Sequence, residues 1–168
     1  MKSDQLPAGV ERMMQDASAR GLDVEVVSRP PSGSLAEAAK LLGIQPRAII
    51  KSLVVKHRDG SFFFALIPGD RVISWPKLRS LLGVNKLSLP HSDVAFAATG
   101  YERGTITPLG SSTPWPVYAD FGVEPGRICI GAGSHGHSAF VDSTDLIAAL
   151  EATVADISDP EPQLQASS

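Results

Sequence analysis

Apolar residues recur along this chain with two periods, near 3.6 and 2, and the switches between them mark the elements. Val10, Met13, Met14 and Ala17 follow the i, i+3, i+4, i+7 spacing of an amphipathic helix over residues 7–20, with Gly21 as its stop. Leu22 to Val27 alternates like a first strand, and Arg29-Pro30-Pro31-Ser32-Gly33 breaks into a loop. Ser34 and Glu37 have capping-box spacing ahead of a helix whose apolar face is Leu35, Ala38, Ala39 and Leu42 and whose stop is Gly43. Ala48 to Val55 then reads as a buried strand, with Ile49, Lys51, Leu53 and Val55 on one face and Ile50, Ser52 and Val54 on the other.

His57-Arg58-Asp59-Gly60 is a hairpin turn, and Phe62 to Ile67 is the returning strand. Three adjacent phenylalanines occupy both of its faces, so it is covered on both sides or lines an apolar pocket. A short strand around Arg71-Val72-Ile73 precedes a helix capped by Ser74, with Pro76 in its first turn, Leu78, Leu81 and Leu82 inward, and Gly83 closing it. Lys86 to Leu89 reads as a strand, and a small helix runs from Ser92 to Gly100. Tyr101 to Pro116 has no periodicity and several Gly and Pro breaks, the pattern of a long structured loop. Residues 116–120, 127–130 and 138–141 are the last strands. A final helix capped by Asp142 or Ser143 carries Leu146, Ile147, Leu150 and Val154 inward. These elements make a single α/β domain over residues 1–157, a mixed, curved sheet with packed helices, followed by a polar, disordered tail over 158–168.

Composition narrows the class. The chain has 168 residues, 43% hydrophobic and 20% charged, ordinary for a globular domain with a substantial core. It lacks a run of eighteen apolar residues and an apolar N-terminal core, and its single cysteine, Cys129, rules out an internal disulfide framework, so a cytoplasmic location is expected, with no membrane partner. The net charge of −3 argues against a generally basic nucleic-acid binder but leaves room for a local basic patch.

Candidate chemistry is sparse. An unpaired ammonium in an apolar interior is costly, so Lys51 escapes to an edge, finds a partner or lines a cavity. His135 and His137 fall on opposite sides of an extended segment, and no other cluster of metal ligands is present, so no metal is expected. Cys129 lies between isoleucines, the setting of a buried structural thiol. Gly104-Thr105-Ile106-Thr107-Pro108 is a G-x-x-x-P loop whose backbone could approach a ligand closely, and Gly131-Ala132-Gly133-Ser134-His135-Gly136 is a second glycine-bearing rim; taken alone, each reads first as a plain turn.

In this order the pieces resemble the YbaK/EbsC family of aminoacyl-tRNA deacylases, relatives of the editing insertion domain of bacterial prolyl-tRNA synthetase. The resemblance covers roughly residues 8–155 and rests on Ser34–Gly43, Ile49–Val55, Phe64–Asp70, Lys77–Gly83, Thr99-Gly100-Tyr101 with Gly104–Gly110, and Val117–Asp120. It implies that Lys51 and Gly104 are the catalytic residues, Lys51 meeting the terminal nucleotide or its phosphate. Thr105, Ile106, Pro108, Gly131, Gly133 and His135 would bind substrate. It further implies hydrolysis of the ester on the 3′-terminal adenosine without metal, cofactor or protein nucleophile, assisted by the ribose 2′-hydroxyl. The implied partner is a tRNA acceptor end carrying a non-cognate amino acid, with an aminoacyl-tRNA synthetase as a further candidate. Strand matching puts Gly131 and Ser138 where cysteinyl-tRNA-specific members carry a serine and an aspartate, so the chain is unlike that subgroup.

The resemblance also places the Lys51 ammonium in a cleft close to the Gly104–Pro108 loop. It leaves a basic patch of Lys56, His57, Arg58, Lys77, Arg79 and Lys86 as either a tRNA contact or a solvated face. A non-catalytic module binding a tRNA end, an aminoacyl-adenosine or a protein is the alternative reading, and hydrolysis of another small ester or amide is a third.

Overall fold

A computed structural model describes residues 5–162. Helix α1 (Ala8–Ala19) is followed by β1 (Glu25–Ser28), α2 (Leu35–Leu42), a 3-10 turn at Pro46–Ala48, and the hairpin β2 (Ile50–His57) and β3 (Phe62–Pro68). Next come β4 (Arg71–Ile73), α3 (Trp75–Leu82), β5 (Leu87–Ser88), α4 (Ser92–Thr99), β6 (Val117–Asp120), β7 (Arg127–Gly131) and β8 (His137–Asp142). Helix α5 (Ser143–Leu150), β9 (Thr153–Ala155) and β10 (Ser158–Pro160) complete the order. No helix among the described residues is long and apolar enough to cross a membrane.

The β2–β3 hairpin is the centre of the molecule. Its turn closes because the Asp59 carboxylate accepts from the Ser61 N–H at 2.9 Å and hydroxyl at 2.7 Å, while Gly60 takes a φ of 90°. The register runs from Ile50 opposite Pro68 to Lys56 opposite Phe62. Around this pair a five-stranded mixed sheet is ordered β5-β2-β3-β6-β9, and both of its faces are covered. Ile50, Val54, Phe64 and Leu66 join Val10, Met13 and Ala17 of α1, with Ile128, Ile130 and Leu146, in the larger core. Val55, Phe63, Ala65 and Ile67 face a smaller one with Leu78 and Ile157. The phenylalanine run is thus covered on both sides, as its sequence requires.

Helix ends follow local chemistry. Ser34 Oγ accepts from Glu37 N at 3.1 Å, and the Glu37 carboxylate reaches back to Gly33 N at 2.6 Å. Asp142 caps α5 by accepting from Asp145 N at 3.0 Å. Several expectations change. The sheet is divided: β1-β8-β7 and β10-β4 are separate from the five-stranded sheet, and among the described residues an isolated bridge between Ile49 and Cys129 links the three-stranded sheet to it. Val154 is not on the last helix. Glu151 ends α5 with a φ of 52°, and the β-branched Val154 enters β9, where it pairs with Ala119. Leu81, expected inward, is exposed.

The expected disorder from Ser158 also fails over its first residues. Ser158-Asp159-Pro160 forms β10 against Ile73-Val72-Arg71. Ser158 is fully buried, its hydroxyl accepting from Arg71 Nε at 2.6 Å and its carbonyl from Lys77 Nζ at 2.8 Å. Polar ties hold this segment where apolar burial is absent. Residues 163–168 lie outside the described residues.

Candidate functional site

The division of the sheets creates a concave site. Along its outer edge β2 meets β7 only at the Ile49–Cys129 bridge and β5 only at Lys56 and His57. Between these points the edge has no ladder partner among the described residues, and a cavity of about 880 Å³ opens there. Its floor is Ile49 to Val54, and one wall is Cys129, Ile130 and Gly131 of β7. The 31–35 loop with Ala38 and Leu42 of α2, and Leu89 to Ser92 with Ala95 of α4, form others. Gly104 and Ile106 meet His135 to Ser138 at the rim.

The long loop is rigidly tied at its base. Buried Tyr101 donates its hydroxyl to Leu109 O at 2.7 Å, Arg12 Nε donates to Gly110 O at 2.7 Å, and Asp16 accepts from Gly110 N at 2.8 Å. The Arg12 guanidinium stacks 4.3 Å over the Tyr101 ring. Thr105 carbonyl accepts from Gly133 N at 2.9 Å, linking loop to rim. Gly104 has a φ of 88°, and a Cβ built on it would lie 3.7 Å from His135 Cε1, so these two residues face each other across the mouth. A Cβ on Gly131 would run into Ile106 O; that position needs glycine for the loop to pack on β7. His135 Nε2 and Glu102 Oε1 are 3.2 Å apart.

Charge in the cavity is one-sided. Arg29, Lys51, His91, Arg103, His135 and His137 line it, and among the described residues no Asp or Glu does. Arg29 is held by Ser138 Oγ at 2.9 Å and Pro30 O at 3.2 Å. Burial pushes the Cys129 thiol up, a hydrogen bond with Ser138 opposing it, so Cys129 is a poor nucleophile. Burial pulls the Lys51 ammonium below its ordinary value, with Glu161 and Asp70 opposing.

Of the residues singled out in the sequence, Lys51, Gly104, Ile106, Gly131 and His135 lie around one cavity. Three do not line it. Thr105 is buried, its hydroxyl donating to Glu102 O at 2.7 Å. Gly133 packs against Gly9 and Tyr101, and Pro108 belongs to a separate hollow with Arg20 and Trp115. The expected position of the Lys51 ammonium also changes: it donates to Arg71 O at 2.6 Å and turns to β4, not to the Gly104–Pro108 loop. The reason is strand alternation, which sets Lys51 on the face of the smaller core and Ser52 on that of the larger. Lys77, offered as a tRNA contact, is paired with Asp156 and Asp159 at 3.0 and 3.1 Å. Sequence reading missed Arg29, His91, Arg103 and His137 as cavity groups; their only signal is position beside glycine or proline, the first three in loops and His137 at the start of β8.

The aminoacyl-tRNA editing domain family matches residues 29–149. Proline--tRNA ligase of Trichlorobacter lovleyi is 33% identical over 98 residues, 58% of this chain and 17% of that protein. The Thermosipho africanus ligase is 34% identical over 101 residues, 60% and 18% of the two chains. The chain thus spans less than a fifth of the length of these curated relatives. A solved structure of a protein proposed to be a trans-editing enzyme for prolyl tRNA synthetase superposes with a TM-score of 0.84 at 26% identity, covering 92% of this chain and 99% of that one. The fold and family expected from the motifs therefore hold. This chain belongs to the aminoacyl-tRNA editing domain family.

Proposed function

We propose that this chain acts in trans as a deacylase, cleaving the ester between a non-cognate amino acid and the 3′-terminal adenosine of a tRNA. One observation carries the reading: a cavity lined by the guanidinium groups of Arg29 and Arg103 and the imidazoles of His91, His135 and His137, with no Asp or Glu in its lining among the described residues, in a chain of net charge −3. His135 faces Glu102 at the rim, but among the described residues Arg29 and Arg103 sit on no carboxylate, whereas Arg71, Lys77 and Arg127 pair with Asp120, Asp156 and Glu25. A concave surface of one sign focuses its field on an anion, and a nucleotide phosphate is the fitting one.

In this reading water adds to the aminoacyl carbonyl carbon, and the carbonyl oxygen takes the negative charge. The tetrahedral intermediate collapses with the ribose oxygen leaving and taking a proton, which yields a free amino acid and an uncharged tRNA end. The vicinal 2′-hydroxyl activates the water or the ester, so neither a metal nor a protein nucleophile is needed. The Gly104 backbone, free of a side chain at the mouth, is the candidate oxyanion contact; one such donor is worth about 10² to 10³ in rate. Ile106, Gly131 and His135 would shape the amino-acid end, with Thr105, Pro108 and Gly133 holding the loop.

The test is incubation of purified protein with a panel of mischarged tRNAs, beginning with tRNA for proline because the ligase relatives act on it. Release of at least one amino acid well above the spontaneous rate is expected; no release from any species at micromolar protein overturns the reading. A second reading, a module that binds an acceptor end without turnover, is favoured by the Lys51 ammonium being engaged by Arg71 O. Binding that is lost in Arg29→Ala, in a wild type without turnover, would decide for it.

A further inference from the structure

The floor of the cavity carries a hydrogen-bonding pattern of its own. Phe64 donates its N–H to Pro116 O at 2.8 Å, away from β2. The facing pair Val54–Phe64 is therefore one of the non-hydrogen-bonded pairs of the antiparallel ladder, and Val54 turns its N–H and C=O to the outer edge. Alternation gives Ser52 the same direction. The parity reappears at Lys56, which pairs across that edge with Ser88 of β5. Between this pairing and the Ile49–Cys129 bridge, no strand among the described residues pairs with the edge, and Ser52, Leu53 and Val54 line the cavity.

Ser52 C=O and Val54 N–H flank Leu53 and point the same way, an acceptor beside a donor. An exposed strand edge is a recognition surface for any ligand with the complementary pair. An extended peptide uses such an edge over several residues, but this gap is short and its walls are cationic. A nucleotide fits better: its phosphate meets the cations, and its base lies between apolar side chains such as Leu42, Leu89, Ala95 and Ile106. The Watson–Crick edge of adenine has the matching order, an acceptor at N1 beside a donor at N6. Guanine and hypoxanthine reverse it, setting donor against donor and acceptor against acceptor.

We propose, on the basis of the deacylase reading above, that the unpaired β2 edge recognises the terminal adenine, Ser52 C=O accepting from N6 and Val54 N–H donating to N1. The edge then acts as a specificity element made of main chain, which no side-chain motif reveals.

The experiment compares kcat/KM for deacylation of one mischarged tRNA ending in adenosine or in inosine. A drop of about tenfold or more with inosine is expected from one lost bidentate contact; equal rates overturn the edge proposal and leave the deacylase reading standing. No deacylation of either counts against the deacylase reading. The edge is then judged by titrating ¹⁵N-labelled protein with AMP and IMP. A downfield shift and exchange protection of the Val54 amide with AMP and not IMP uphold it; a Val54 amide that fails to respond to AMP overturns it.

Discussion

Lys51 has its stem on the cavity floor and its ammonium on a backbone carbonyl of β4. Burial depresses its proton affinity, the nearby Glu161 and Asp70 opposing. A lysine whose folded value lies below its unfolded one binds its proton better in the unfolded chain, so it costs stability wherever both states are protonated. That cost is relieved as pH climbs through the folded value to the ordinary 10.5. In thermal melts run at rising alkaline pH up to the ordinary 10.5, wild type should gain Tm relative to Lys51→Met; a constant difference overturns this account. At this scale the sequence was informative where chemistry conflicts with its surroundings, as with a lysine in an apolar strand or the glycines at 104 and 131. It was silent on Arg29 and Arg103, because a basic residue in a polar loop conflicts with nothing until the fold supplies its neighbours.

Among the elements, those with local punctuation were legible. Ser34, Ser74 and Asp142 cap their helices where the spacing predicts. β9 and β10 were not, since they are short and held by distant polar partners. The buried Asp120 carboxylate is the hub of that arrangement. It accepts from Gly122 N at 2.8 Å and Ile157 N at 3.0 Å and lies 3.7 Å from Arg71 Nε. Asp120→Ala strands two amide donors and removes the carboxylate beside the Arg71 guanidinium, which keeps its bonds to Ser158, and should lower stability in urea unfolding by about 3 kcal/mol. A loss within error of zero would mean that the C-terminal strands hold without it.

For the whole molecule, the sequence conveyed the class, the count of helices and the hairpin, but not how the sheets part around β2. That parting depends on which strands meet across long chain separations, information that periodicity does not contain. The cavity, the feature on which the proposed function rests, is a product of that parting. Helix α1 stands behind it: Arg12 and Asp16 hold Gly110, Gly9 packs against Gly133, and Val10, Met13 and Ala17 are core residues. Yet α1 and all of β1 precede residue 29, where the family match begins. A fragment trimmed to 29–149 would therefore open a hole under its own rim and should give a poorly dispersed NMR spectrum, where residues 5–162 give a sharp one; equal dispersion would overturn this. The piece of chain that must be kept together for the fold to close is longer than the piece that the family match covers.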